Sequence, residues 1–185
     1  MIARQHLFLI IVAIFAAALI GTAIYYLLRA HRASKSTWAG ILARLAPVDN
    51  RNIAMVALDL IDDQGNPRIG GIPELEPEAI WGLLGGLNGL EVLGANCDVL
   101  IDLAAYVQLW YPEALVVAEQ LRLNAREIKW HIERLQGASQ TGNLKSSFPD
   151  YAQRAAATYY LMTRRLLDLY ASADLSTLTE LQAAL

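Results

Sequence analysis

The chain has 185 residues, 55% of them hydrophobic, with 15 Lys and Arg against 18 Asp and Glu and a net charge of −3 at pH 7. That balance argues against a nucleic-acid partner, because phosphate contacts need clustered Lys and Arg. A single cysteine, Cys97, excludes an intrachain disulfide and a cysteine zinc site, and no P-loop, Ser-His-Asp or Cys-His pattern points to catalysis.

Residues 7–28, LFLIIVAIFAAALIGTAIYYLL, carry no charge. As a helix they would extend about 33 Å, enough for a hydrocarbon core of about 30 Å, so we expect a transmembrane helix after a short tail at 1–6. A cleaved signal peptide is the rival, with Ala16, Ala17 and Ala18 as its exit. A signal peptide turns polar after that point, whereas here the apolar run continues through Leu19, Ile20, Ile24, Leu27 and Leu28.

Arg29, Arg32 and Lys35 follow the span and only Arg4 precedes it, which places the N-terminus outside and the rest in the cytoplasm of an inner-membrane, single-pass protein. Tyr25, Tyr26, Arg29, Arg32, Lys35 and Trp38 are the expected membrane-interface residues. Residues 29–46 form a basic, then amphipathic, juxtamembrane segment. Its Trp38, Ile41, Leu42 and Leu45 recur at helical spacing, either prolonging the span or lying on the bilayer.

Residues 47–185 read as one cytoplasmic helical bundle, so the expected fold class is all-α. Helices are predicted at about 50–61, 77–110, 112–136, 148–172 and 177–184. Asp49 suits the N-cap of the first, although NIAMVALDLI also reads as a strand. Asp62-Asp63-Gln64-Gly65-Asn66 is a turn, because it lacks the ligand spacing of a calcium loop. Pro77 fits the first turn of the second helix and Pro112 that of the third.

Gly82, Gly85, Gly86 and Gly89 recur at three- and four-residue steps in the long second helix. Each interior glycine costs roughly 1 kcal/mol relative to alanine, so we expect a close-packing stripe for another helix, with a break near Gly85–Gly89 as its rival. Glu91, Asp98 and Asp102 share a face, which could hold a metal or a carboxylate catalyst; a solvated face explains them equally well. Asn88 and Asn96 sit awkwardly on a solvated face, and one is expected buried as a packing-specific polar residue. Glu127 and His131 are four apart and occur once, unlike the paired Glu-x-x-His of di-iron bundles. Gly137 reads as a helix end before a flexible loop at 137–147, and Thr177-Leu178-Thr179-Glu180 as a capping box.

Residues 36–185 hold 11 Lys and Arg against 18 Asp and Glu, an acidic domain beneath a basic anchor. The expected role is non-catalytic: an accessory or scaffold subunit binding the lipid bilayer and other subunits of a membrane complex, with homo-oligomers open. A second reading is a membrane-tethered regulator holding a small molecule between the glycine stripe and Trp81, Trp110 and Trp130. A third is an enzyme built on Glu91, Asp98 and Asp102. Neither metal nor cofactor is expected, and no cofactor-binding residue is assigned.

Overall fold

The computed structural model describes residues 10–22, 24, 37–62, 64–68, 74–108 and 110–185. They are all-helical: no strand occurs among them beyond one isolated antiparallel bridge between Ile61 and Pro67. The chain divides into two compact units, Met1–Thr37 and Trp38–Leu185.

In the first unit, residues 10–22 and Ile24 are helical, and Ile10, Ile11, Val12, Ile14, Phe15, Leu19 and Ile20 are exposed. Among the described residues no helix is long and apolar enough to cross a membrane. The ends of the expected span, 7–9 and 25–28, lie outside the described residues, as do Tyr25, Tyr26, Arg29, Arg32 and Lys35.

The second unit holds α1 (Trp38–Leu42), α2 (Asn50–Leu60), α3 (Pro77–Leu84), α4 (Gly86–Val107), α5 (Ala114–Gln140), α6 (Leu144–Ser172) and α7 (Leu178–Ala184). Its frame is three long helices, α4, α5 and α6, each packed on the other two. Short helices close the sides: α2 and α3 lie on α6, α1 on α4, and α7 on the end of α6. Period-3.6 patterning explains the frame. Ala118, Leu121, Ala125, Ile128, Ile132 and Leu135 of α5 face Ala152, Ala155, Ala156, Tyr159, Met162 and Leu166 of α6, all buried. Alanines along the inner face of α6 leave room for neighbours on several sides.

Asp49 caps α2 by accepting the Asn52 N–H at 3.1 Å, so residues 50–60 are helix and not strand. The turn after it closes on Asp62, whose Oδ1 accepts the Gln64 and Asn66 N–H groups at 2.9 and 2.8 Å. Those bonds, with the Asn66 side chain, hold the Asp62 carboxyl below its usual range.

Several boundaries differ from the sequence reading, among them the end of α4 at Val107 rather than 110 and the start of α5 at Ala114, which leaves Pro112 outside the helix instead of in its first turn. The helix expected across 77–110 is two, because Gly85 and Gly86 both take left-handed backbone, at φ +72° and +65°. α5 runs past Gly137 to Gln140, and the sharp reversal comes at Gly142, with φ +76°. The flexible loop is therefore only residues 141–143, and α6 starts at Leu144, before Pro149, rather than at 148. Proline removes the bond to the Lys145 carbonyl; burial of Phe148, at 1% exposure, holds this turn in place. No side-chain cap forms at Thr177, so the capping box is absent, although α7 still docks through fully buried Leu181.

Trp38 carries the largest correction. The apolar face read as continuing the span or lying on the bilayer instead packs into the helical unit, where Ile41 is 1% exposed. The Trp38 ring lies 5.4 Å from that of Tyr170 and 6.1 Å from that of Tyr106, and its Nε1–H donates to Glu180 at 2.8 Å. The helical unit accordingly begins at Trp38 and not at 47. The aromatic partners and the acceptor lie 68 to 142 residues further along the chain, beyond any local pattern.

Candidate functional site

Four glycines shape the surface around α3 and α4. Gly85 ends α3 and Gly86 starts α4, so Gly82, Gly85, Gly86 and Gly89 do not form one continuous helical stripe. A side chain at Gly86 would come within 2.7 Å of the Trp81 ring, and one at Gly89 would collide with the Leu84 carbonyl. Gly82 has open space around it. What approaches Gly86 and Gly89 of α4 is therefore the last turn of the adjoining α3, through Trp81 and the Leu84 carbonyl, and not a helix packed along a stripe. The glycine that admits another helix is Gly94, where an added Cβ would lie 2.9 Å from the Ile132 side chain on α5.

Two grooves adjoin the break. One, of about 350 Å³, is lined by Pro77, Glu78 and Trp81 of α3 and by Leu144, Lys145, Phe148 and Pro149 of α6. Trp81 is 42% exposed above buried Phe148, their ring centroids 4.4 Å apart. The other, of about 270 Å³, lies among Pro47, Ile53, Gly82, Gly85, Gly89 and Val92. Trp110 packs edge-on to Tyr106, and Trp130 against His131 and Tyr151. No pocket described draws Trp81, Trp110 and Trp130 together as the small-molecule reading expects.

The three carboxylates of α4 each meet a different partner. Glu91 accepts from Gln136 at 2.9 Å, Asp98 from Lys129 at 2.9 and 3.0 Å, and Asp102 from Arg44 at 2.9 Å. Among the described residues no group of three His, Cys, Asp or Glu is placed to hold a metal ion. On α4, then, these acids work as surface ties to α5 and to the segment after α1, each worth a fraction of a kcal/mol in solvent.

The interior polar groups have structural partners. Asn96, 1% exposed, donates to the Ala46 carbonyl at 2.8 Å and accepts the Ala46 N–H at 2.9 Å, fixing the segment between α1 and α2; Asn88 is exposed. The Tyr170 hydroxyl donates to the Leu103 carbonyl at 3.0 Å. Burial raises the Tyr159 and Tyr170 hydroxyls and pushes the Cys97 thiol up to about 12, which leaves that sulfur an inert core atom. His131 is 4% exposed and neither ring nitrogen has a hydrogen bond; its Nε2 lies 3.7 Å from Glu127. Desolvation lowers its pKa, opposed by Glu127 and Asp150 and assisted by Arg154.

Asp59 escaped the sequence reading. Its carboxylate accepts the Glu74 and Leu75 N–H groups at 2.8 and 3.3 Å and the Gln153 amide at 2.8 Å, tying the connection before α3 to α2 and α6. Nothing local marks it, since an acid near a helix end ordinarily faces water.

Comparison of the chain with protein-family models, with curated proteins and with solved structures returns no match.

Proposed function

We propose that the chain is a non-catalytic, membrane-anchored accessory subunit. Residues 7–28 hold it in the inner membrane, with its N-terminus outside and the helical unit on the cytoplasmic face of a larger complex. The observation that carries this reading is the first unit: a charge-free segment whose described residues are helical with uncovered Ile10, Ile14, Phe15 and Ile20. Such a surface needs lipid or another apolar helix around it. The engagement of Glu91, Asp98 and Asp102 with separate partners supports the absence of carboxylate chemistry.

Orientation is tested on membranes opened from one side. Lys145 is exposed next to the 141–143 turn and is the natural point of tryptic cleavage. Cleavage only when the cytoplasmic face is accessible supports the topology; cleavage in intact spheroplasts overturns it. Partners that survive solubilisation in mild detergent and purify with the chain support the accessory role, and a chain that always migrates alone contradicts it.

The second reading, a tethered small-molecule regulator, draws support from the half-exposed Trp81 over Phe148 beside Lys145. A flat aromatic molecule would suit that groove by stacking, with Lys145 and Glu78 at its rim. Quenching of Trp fluorescence by such a molecule, lost in Trp81→Leu, would favour it.

A further inference from the structure

The outward face of α5 carries three apolar side chains on one line. Val116, Leu123 and Trp130 follow one another at seven-residue intervals and are 61%, 61% and 45% exposed. They point away from the core face formed by Ala118, Leu121, Ala125, Ile128, Ile132 and Leu135. Isolated exposed apolar residues are ordinary. A seam about 21 Å long at the helical rise, with Glu119 and Arg126 between its members, offers a second helix one apolar contact every seven residues.

The charges beside the seam name that helix. We propose that it is α5 of a second copy, packed antiparallel about a two-fold axis through Leu123. Leu123 then meets its own copy, and Val116 meets the partner's Trp130, so the smallest and largest side chains share each outer layer. On one side Glu119, which also holds Arg122 within the chain, comes beside the partner's Arg126. On the other, Arg134 comes beside the partner's Glu113 and Glu127 beside the partner's Gln120. The two-fold repeats every pair, and no like charges oppose one another on the same side. That self-complementarity is what an isologous interface requires. Arg126, Glu113 and Arg134 are exposed; none of the three has an ion-pair partner among the described residues, and the Arg134 guanidinium lies 5.1 Å over the Trp130 ring of its own chain. A parallel pair would instead stack Trp130 on its copy at one end and leave two valines at the other, splaying the seam. The surface lies wholly within the helical unit, so it stands or falls apart from the membrane anchor.

The test uses the full chain in mild detergent, followed by sedimentation through a wide dilution series. The wild type is expected to dissociate from dimer to monomer on dilution. Arg134→Glu should weaken the dimer roughly tenfold, two attractive pairs having become repulsive. Adding Glu113→Arg should restore it, which only the antiparallel register allows. Independently, Leu123→Cys should form a disulfide-linked dimer under mild oxidation while Gln140→Cys should not, Cys97 being buried and inert. A monomer at every concentration, a dimer indifferent to Arg134→Glu, failure of Glu113→Arg to rescue, or cross-linking at 140 in place of 123 would each overturn the proposal.

Discussion

Asn96 shows what a buried amide does at the scale of one residue. It completes two backbone groups of Ala46 that would otherwise be lost to the interior, and an unsatisfied buried group costs about 1–3 kcal/mol. Asn96→Ala is therefore expected to lower unfolding free energy by about 2 kcal/mol in chemical denaturation of the full chain in mild detergent. That one of Asn88 and Asn96 would be buried was legible from amides lodged on an apolar helix; which of them, and its partner, were not, because nothing in residues 45–48 announces a clamped segment. His131 gives a pH dependence. Its folded pKa is lowered by desolvation, so the unfolded chain binds the proton more readily. The stabilising contribution is complete above the unfolded value of about 6.5 and is lost as pH falls below it. Thermal melts at pH 7.5 and 5.5 should show the midpoint falling, and His131→Phe should flatten that fall. Cys97, raised to about 12 and buried, should resist maleimide until the chain is unfolded.

Among the elements, α5 and α6 were readable because a 3.6-residue apolar period persists over seven or eight turns and tertiary packing only reinforces it. The ends were less so. Gly137 resembles a helix terminus, yet a single glycine costs only about 1 kcal/mol, less than the last turn recovers, and the chain reverses at Gly142 instead. The glycines at 82–89 exposed the opposite ambiguity. Their three- and four-residue spacing fits a smooth helical stripe, but two adjacent glycines also permit two left-handed residues in succession, and the chain takes that course. A paired substitution separates the meanings. Gly86→Ala, at φ +65° and against the Trp81 ring, should destabilise by about 1–3 kcal/mol, whereas Gly82→Ala, with free space around it, should be neutral or stabilise by up to about 1 kcal/mol. Equal effects from the two in a denaturant titration would contradict the break. The amphipathic pattern of α1 was equally visible, but periodicity gives a face and never its partner; Tyr106, Tyr170 and Glu180 supply that from remote parts of the chain.

For the whole molecule, composition and the charge-free run at 7–28 carry the proposed function, and the helical unit is the body that such an anchor would hold. It is a three-helix frame in which Glu91, Asp98 and Asp102 tie α4 to its neighbours, whose cysteine is a core atom, and whose exposed apolar residues include Val116, Leu123 and Trp130 on α5 and Trp81 beside its groove. The helical class followed from periodicity. A site did not, because grooves arise where separate elements meet, as Trp81 and Phe148 do across α3 and α6. Alkaline carbonate extraction of cell membranes tests the proposed anchor most directly. The full chain should stay in the membrane pellet after the wash, while a chain lacking residues 1–37 should be recovered in the supernatant with its helical circular dichroism intact. Release of the full chain by carbonate would contradict a spanning segment.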